Sequence, residues 1–187
     1  MESVALKEVL QEIHFDNCLE IGCGTGKNTV WLTRKAKHVT GVDFSEGMLD
    51  MARKKIFEIE VEFVHADITH KWDFSDKKYD LVTFSLVLEH IENLDYIFAE
   101  ASKNLYQGGF LYLGELHPFK QYTGSKARFD TDKGLQVLDC YIHNISDFIN
   151  AAQQNGFSLI RINEYFDDND KNSIPRLLAM LLKKDRA

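Results

Sequence analysis

The feature that most constrains this chain is a regular alternation of short apolar runs with helical patterns. The runs at 18–21, 39–42, 61–65, 79–85 and 110–113 read as five strands. Between them, apolar residues recur at spacings of three and four. The clearest case is Leu94, Ile97, Phe98, Ala101 and Leu105, with Gly108 read as its C-cap. Ser45 reads as the N-cap of another helix, with Met48, Ala52 and Ile56 on one face, and Leu6, Val9, Leu10 and Ile13 mark an opening helix. A helical stretch to about residue 35 follows the first strand. Strands alternating with helices build parallel βαβ units, so the expected class is α/β, an open and mostly parallel sheet with helices on both faces. In such sheets ligands bind at the carboxyl ends of the strands, where strand order reverses.

The last third departs from this rhythm. Residues 117–126 read as irregular, and 127–144 as a hairpin turning at Asp132-Lys133-Gly134. A helix at 146–155 is closed by Gly156. Two apolar segments follow, 157–166 and 177–183, and the second fits helix or strand because its apolar residues are continuous.

Composition narrows the function classes. With 187 residues and 44% apolar content, the chain is expected to form one domain with a true core. Lysine and arginine number 22 against 29 aspartates and glutamates, a formal charge of −7, so a nucleic-acid partner is not expected. No apolar run reaches the roughly 18 residues of a membrane span, and the N-terminus lacks a signal-peptide core. Cys18, Cys23 and Cys140 form no CxxC pair and no metal spacing. The expectation is a cytoplasmic protein with no metal, no disulfide framework and no membrane partner.

The chemistry concentrates after the first three strands. Gly22, Gly24 and Gly26 sit between the first strand and the next helix, where glycine lets the backbone turn and approach a ligand closely. A dinucleotide loop would read GxGxxG, but the third glycine comes one residue early and Lys27 stands in its place, which argues against a nicotinamide oxidoreductase. Asp43, 21 residues after Gly22, ends the second strand and is suited to accept both hydroxyls of a ribose. Asp67 follows the third strand, suited to an exocyclic adenine amine, with the Ile68 N–H aimed at the ring. Together these describe an adenosine site without a pyrophosphate clamp.

The segments Leu19-Glu20-Ile21-Gly22-Cys23-Gly24-Thr25-Gly26, Gly41-Val42-Asp43-Phe44-Ser45, His65-Ala66-Asp67-Ile68 and Tyr79-Asp80-Leu81-Val82 resemble the class I S-adenosylmethionine-dependent methyltransferase superfamily. The resemblance covers about residues 15–115, and its nearest branch is the small-molecule group similar to quinone- and biotin-pathway enzymes. It implies a Rossmann-like sheet of seven strands whose last two apolar segments form an antiparallel hairpin. It also implies the cofactor S-adenosylmethionine and the product S-adenosylhomocysteine. By the family's pattern Glu20 and the loop Gly22, Cys23, Gly24 and Gly26 hold the methionine part. Asp43 holds the ribose, Phe44 and Met48 flank the adenine, and Asp67 with Ile68 read its edge. The backbone at Ser85 and Leu86 faces the amino group and sulfonium. Cys23 reads as a small packing residue rather than a nucleophile.

The acceptor is read from the segment after the fourth strand. It carries no Asn/Asp-Pro-Pro-aromatic motif, which argues against amine targets of the adenine or glutamine type. The Glu89-His90 pair resembles the small-molecule branch. His90 and His117 are the candidate general bases, and Glu89 is a candidate base or stabiliser of a cationic centre. Alignment and desolvation alone can also drive methyl transfer, without an obligatory base. Tyr122, Lys126, Arg128 and Tyr141 are the candidate acceptor-binding residues. Only 19 residues precede Glu20, so the hairpin insertion at about 117–145 is read as a possible lid over a small-molecule acceptor, within one chain or across a homodimer. Two other readings stay open: a non-catalytic cofactor-binding module, and a methyltransferase acting on protein.

Overall fold

The computed structural model describes residues 1–57, 60–74, 76–124, 128–131, 134–137 and 140–185, with backbone pairing alone at 128–131 and 134–137. Nine strands occur among them: β1 (Asn17–Ile21), β2 (His38–Asp43), β3 (Val61–His65), β4 (Tyr79–Ser85), β5 (Leu105–Leu116), β6 (Arg128–Thr131), β7 (Gly134–Val137), β8 (Phe157–Tyr165) and β9 (Leu177–Lys184). Seven of them form one sheet in the order β3-β2-β1-β4-β5-β9-β8. The first five lie parallel, and β9 runs antiparallel between β5 and β8. The order reverses between β1 and β4, so the crevice expected to bind ligand opens above their carboxyl ends. The α/β sheet, its parallel majority and its antiparallel C-terminal hairpin are as the sequence led us to expect. The continuous apolar run is a strand paired on both sides, and its burial on both faces removes the alternation that would have marked it.

Six helices lie among the described residues: α1 (Glu2–Leu10), α2 (Thr29–Leu32), α3 (Glu46–Lys55), α4 (Leu94–Asn104), α5 (Pro118–Tyr122) and α6 (Ile145–Gln154). Strand alternation sorts the core into two layers. Leu19, Ile21, Val82, Phe84, Leu111, Leu113 and Met180 meet α4 and α6 through Ile97, Phe98, Ala101, Phe148 and Ala152. Cys18, Leu81, Tyr112, Ala179 and Leu181 meet α1 and α2 through Leu6, Val9, Leu10 and Leu32. Each large apolar side chain removed from water in this way contributes about 1.5–3 kcal/mol.

Local chemistry sets the helix ends. The Asn93 side chain accepts from Tyr96 N at 3.0 Å and opens α4. Gly108 is not the C-cap of that helix. The helix stops at Leu105 and passes directly into β5, and Gly108 takes a φ of 79° within that strand, beside an irregularity in the β4–β5 register. The helical stretch expected to reach about residue 35 has one regular turn, α2, ending at Leu32. The irregular reading of 117–126 missed α5, which Pro118 begins and the His117 side chain caps by accepting from Phe119 N at 3.2 Å. The expected hairpin is present as the antiparallel pair β6–β7. Its turn residues Asp132 and Lys133 lie outside the described residues.

Candidate functional site

Glu20 shares a strand face with Cys18, toward α1 and α2, and that register brings it to Thr29. Thr29 Oγ1 donates to Glu20 Oε2 at 2.5 Å, and both side chains are buried. Burial pushes the Glu20 carboxyl up to about 8, against the hydrogen bond from Thr29. The N-terminal end of α1 closes over the same corner. Glu2 accepts from Lys27 Nζ at 3.0 Å and from Asn28 Nδ2 at 2.7 Å, while Ser3 Oγ donates to Asn28 Oδ1 at 2.7 Å.

The glycine loop has two distinct demands. Gly22 has φ 68°, and a Cβ built on it would lie 2.2 Å from Val87 Cγ2, so the side chain that follows β4 fills the space that glycine leaves. Gly24 has φ 53°, and no atom lies within 4 Å of its Cβ position. Close approach to a neighbour explains the first, and an open approach to the backbone explains the second. Cys23 is buried within the loop. Burial pushes its thiol well above the ordinary range, which suits packing and not nucleophilic attack.

Asp43, at the end of β2, joins this loop to the next helix. Its Oδ2 accepts from Gly24 N at 2.7 Å and its Oδ1 from Ser45 N at 2.9 Å. Ser45 in turn caps α3, accepting from Met48 N at 3.4 Å. Phe44 is 74% exposed, an open aromatic surface beside that carboxylate, and Met48 is half-buried behind it. Asp67 follows β3, where its Oδ1 accepts from Thr69 N at 2.9 Å and Thr69 Oγ1 at 2.7 Å. These bonds hold its carboxyl below the usual range. Ile68 is fixed from behind, since its carbonyl accepts from the buried Trp72 indole at 3.0 Å. Gly22, Gly24, Asp43, Asp67 and Ser85 thus lie at or just beyond the carboxyl ends of β1 to β4, while Gly26 packs against α3, where a Cβ would lie 2.6 Å from Ile56 Cδ1.

The segment leaving β4 is the most constrained part of that edge. Leu86 has φ 58°, the left-handed region that side chains seldom adopt, and its N–H donates to Gly114 O at 2.9 Å. Ser85 Oγ is buried with no hydrogen-bond partner among the described residues. A residue missed by the sequence reading underlies this segment. Glu115, at the end of β5 and 2% exposed, accepts from Val87 N at 3.1 Å and Leu88 N at 3.1 Å through Oε2. Burial pushes its carboxyl up to about 8, against those backbone donors.

Three acceptor-side candidates come together here. Glu89 is buried beside Gln121, with Oε2 unpartnered among the described residues, and burial pushes its carboxyl up. Its backbone carbonyl accepts from Tyr141 N at 2.8 Å, so Tyr141 returns to the same turn as His90. Tyr122 Oη donates to Asn144 Oδ1 at 2.6 Å, tying α5 to the start of α6. His117 stands apart. It is fully buried, its Nε2 donates to Glu164 at 2.9 Å, and its Nδ1 caps α5, so both ring nitrogens are engaged away from the Glu89 turn. Burial holds the ring below its ordinary value, against the pull of Glu164. Lys126 lies outside the described residues, as does the Arg128 side chain. No cluster able to hold a metal occurs among the described residues, and none of their helices is long and apolar enough to cross a membrane.

Comparison with known proteins follows the same motifs. A family described as the methyltransferase domain matches residues 19–113. A demethylmenaquinone methyltransferase of Clavibacter sepedonicus is 36% identical over 89 residues, which is 47% of this chain and 36% of that protein. The chain spans between about a third and two thirds of the length of the first curated relatives it matches. An S-adenosylmethionine-dependent methyltransferase from Mesorhizobium loti superposes with a TM-score of 0.80 at 20% identity, covering 96% of each chain. The N-methyltransferase NodS from Bradyrhizobium japonicum, solved with S-adenosylhomocysteine, gives 0.73 at 17% identity over 99% of this chain and 86% of that one. These likenesses establish the fold.

Proposed function

The chain belongs to the methyltransferase domain family, and from that premise we propose that it binds S-adenosylmethionine at the carboxyl edge of the sheet and methylates a small molecule. One observation carries the reading. Asp43 binds Gly24 N and Ser45 N with its two oxygens, holding a strand-end carboxylate beside the open backbone of Gly24. The surroundings fit the cofactor: an exposed aromatic at Phe44, a second strand-end carboxylate at Asp67 and an unpartnered hydroxyl at Ser85.

The cofactor, when bound, supplies an electrophilic methyl group on a sulfonium. Asp43 holds the ribose hydroxyls, and Phe44 and Met48 cover the adenine. Asp67 and the Ile68 N–H read the adenine edge. Glu20, the glycine loop and the backbone at Ser85 and Leu86 hold the methionine end. Glu89 presents an unpaired, buried carboxyl oxygen to a donor on the acceptor, which orients that molecule. His90, on the same turn, takes a proton where the acceptor releases one. The segment 117–145, anchored at Gln121 and Tyr141, excludes water from the reacting centre. The demethylmenaquinone methyltransferase likeness supports a small acceptor. We place the enzyme in the cytoplasm, as one domain acting without nucleic acid or membrane.

Calorimetry with S-adenosylhomocysteine tests this. Micromolar binding is expected, and Asp43→Ala should weaken it by roughly 2–4 kcal/mol, since two hydroxyls lose a charged acceptor. Unchanged affinity in a folded Asp43→Ala variant would place the site elsewhere.

A further inference from the structure

The geometry points to Glu115 as the positioning residue of the binding crevice: it fixes the segment after β4, and through Val87 the glycine loop, so that the methionine end of the ligand meets a preformed wall. This inference rests on the reading of the site given above.

The position is an unusual place for a carboxyl. Glu115 is 2% exposed at the end of the strand next to β4. An apolar side chain there would avoid the cost of desolvating a carboxyl. What the carboxyl supplies is acceptors. Oε2 takes Val87 N and Leu88 N at 3.1 Å each, and Oε1 lies 3.3 Å from Val87 N. These amides lead into the short 3-10 turn Leu88–His90, whose first N–H groups have no partner within the turn. Glu115 therefore acts as an N-terminal cap delivered from another strand.

Two neighbours show what the cap secures. Leu86 keeps a left-handed backbone, a conformation that persists only where the surroundings over-determine it. Its own N–H is held by Gly114 O at 2.9 Å, and the next two amides by Glu115, so consecutive β5 residues clamp three consecutive amides. Val87, the middle of the three, occupies the place of a side chain on Gly22. Gly22 follows β1 and Val87 follows β4, the two strands that flank the reversal of strand order. Releasing Val87 would loosen both walls of the crevice at once. The adenosine end, built from Asp43, Phe44 and Asp67 at or just beyond the ends of β2 and β3, makes no direct contact with this clamp; Asp43 and Asp67 are held by Ser45 N and Thr69 N, and only the bond from Gly24 N to Asp43 links that end to the glycine loop.

The test compares wild type with Glu115→Gln, which keeps an acceptor oxygen, and Glu115→Leu, which keeps none. Binding of S-adenosylhomocysteine and of adenosine is measured by calorimetry, and amide exchange by NMR. Glu115→Gln should bind S-adenosylhomocysteine within about threefold of wild type, and Glu115→Leu at least about tenfold more weakly. Adenosine affinity should move less than about twofold in both, a split that general destabilisation would not give. Val87 and Leu88 amides should exchange at least about a hundredfold faster in Glu115→Leu while Met180 is unchanged. Equal losses for both ligands, failure of Gln to rescue, or unchanged exchange at Val87 and Leu88 would overturn the assignment. If Glu115→Leu does not fold, wild type and Glu115→Gln decide. Slow exchange at Val87 and Leu88, matching Leu113, supports the clamp, and fast exchange there in wild type removes it. Wild type that binds neither ligand would overturn the proposed site, while the exchange measurement would still judge the clamp.

Discussion

At the scale of single residues, two glycines two positions apart should separate folding from binding. A methyl group at Gly22 meets Val87 Cγ2 at 2.2 Å and must also hold φ at 68°. Gly22→Ala should cost several kcal/mol, on the order of an overpacked core with added backbone strain, and the expected result is failure to fold or a large fall in melting temperature. Gly24→Ala meets nothing within 4 Å, so only its left-handed φ of 53° resists, at roughly 1–2 kcal/mol. It should fold, yet lose S-adenosylhomocysteine affinity, because the new methyl group stands where the ligand backbone approaches. Thermal melts beside calorimetry check both, and a folded Gly24→Ala that binds normally would mean the ligand does not cross this glycine. The placement of the proposed adenosine residues at successive strand ends was legible because spacing encodes it: glycines after one strand, then an acid at the end of the next and another just after the third. Glu115 was not legible. It sits in a run of apolar strand residues, and its partners Val87 and Leu88 are some 27 positions away, a contact created only by the register of β4 with β5.

At the scale of elements, His117 and the segment beyond it make separable predictions. The His117 ring caps α5 with one nitrogen and meets Glu164 on β8 with the other, so it fastens a helix to the edge of the sheet. His117→Ala should lower stability by about 1–3 kcal/mol, the cost of emptying a fully buried ring site and losing its two hydrogen bonds, and leave S-adenosylhomocysteine affinity intact. A denaturant melt and a titration decide it, and an affinity loss with unchanged stability would bring His117 back to the ligand. The sequence could not make that distinction, since a histidine before Pro118 at a strand end fits either use. The ends of the following segment return to the Glu89 turn, through Gln121 on one side and Tyr141 on the other. Replacing residues 124–140 by a short Gly-Ser loop keeps both anchors. Cofactor binding should survive and turnover on an identified acceptor should fall at least about a hundredfold, because water enters the reacting centre. Retained turnover would show that this segment is not the cover.

At the scale of the whole molecule, the fold was legible because the alternation of strand and helix leaves few topologies once connections are right-handed. The C-terminal hairpin was legible only by resemblance, since a strand buried on both faces has the same apolar texture as a buried helix. What sequence could not show is that two carboxyls, Glu20 and Glu115, are sealed inside an already acidic molecule. Each is held near 8 by burial, well above the ordinary value of 4.5. A carboxyl with a raised native value binds a proton in the fold that the unfolded chain has released, so its contribution to stability is full below about 4.5 and is lost as pH rises toward 8. Across that window each carboxyl costs at most about 1.4 kcal/mol per pH unit. His117 works the other way, because burial holds it below 6.5 and stability recovers as its proton leaves. That opposing gain ends near 6.5. Above it Glu20 and Glu115 act with Glu89, which burial also raises, and the formal charge of −7 adds repulsion in the same direction. Melting temperature should therefore fall from pH 6.5 to 8. Glu20→Gln should make that fall shallower, since its amide carries no charge to desolvate and still accepts from Thr29 Oγ1. Melts at half-unit steps from pH 5.5 to 9 decide the matter, and a melting temperature that stays flat or rises between 6.5 and 8 would mean that the two carboxyls are ionised within the fold throughout that range.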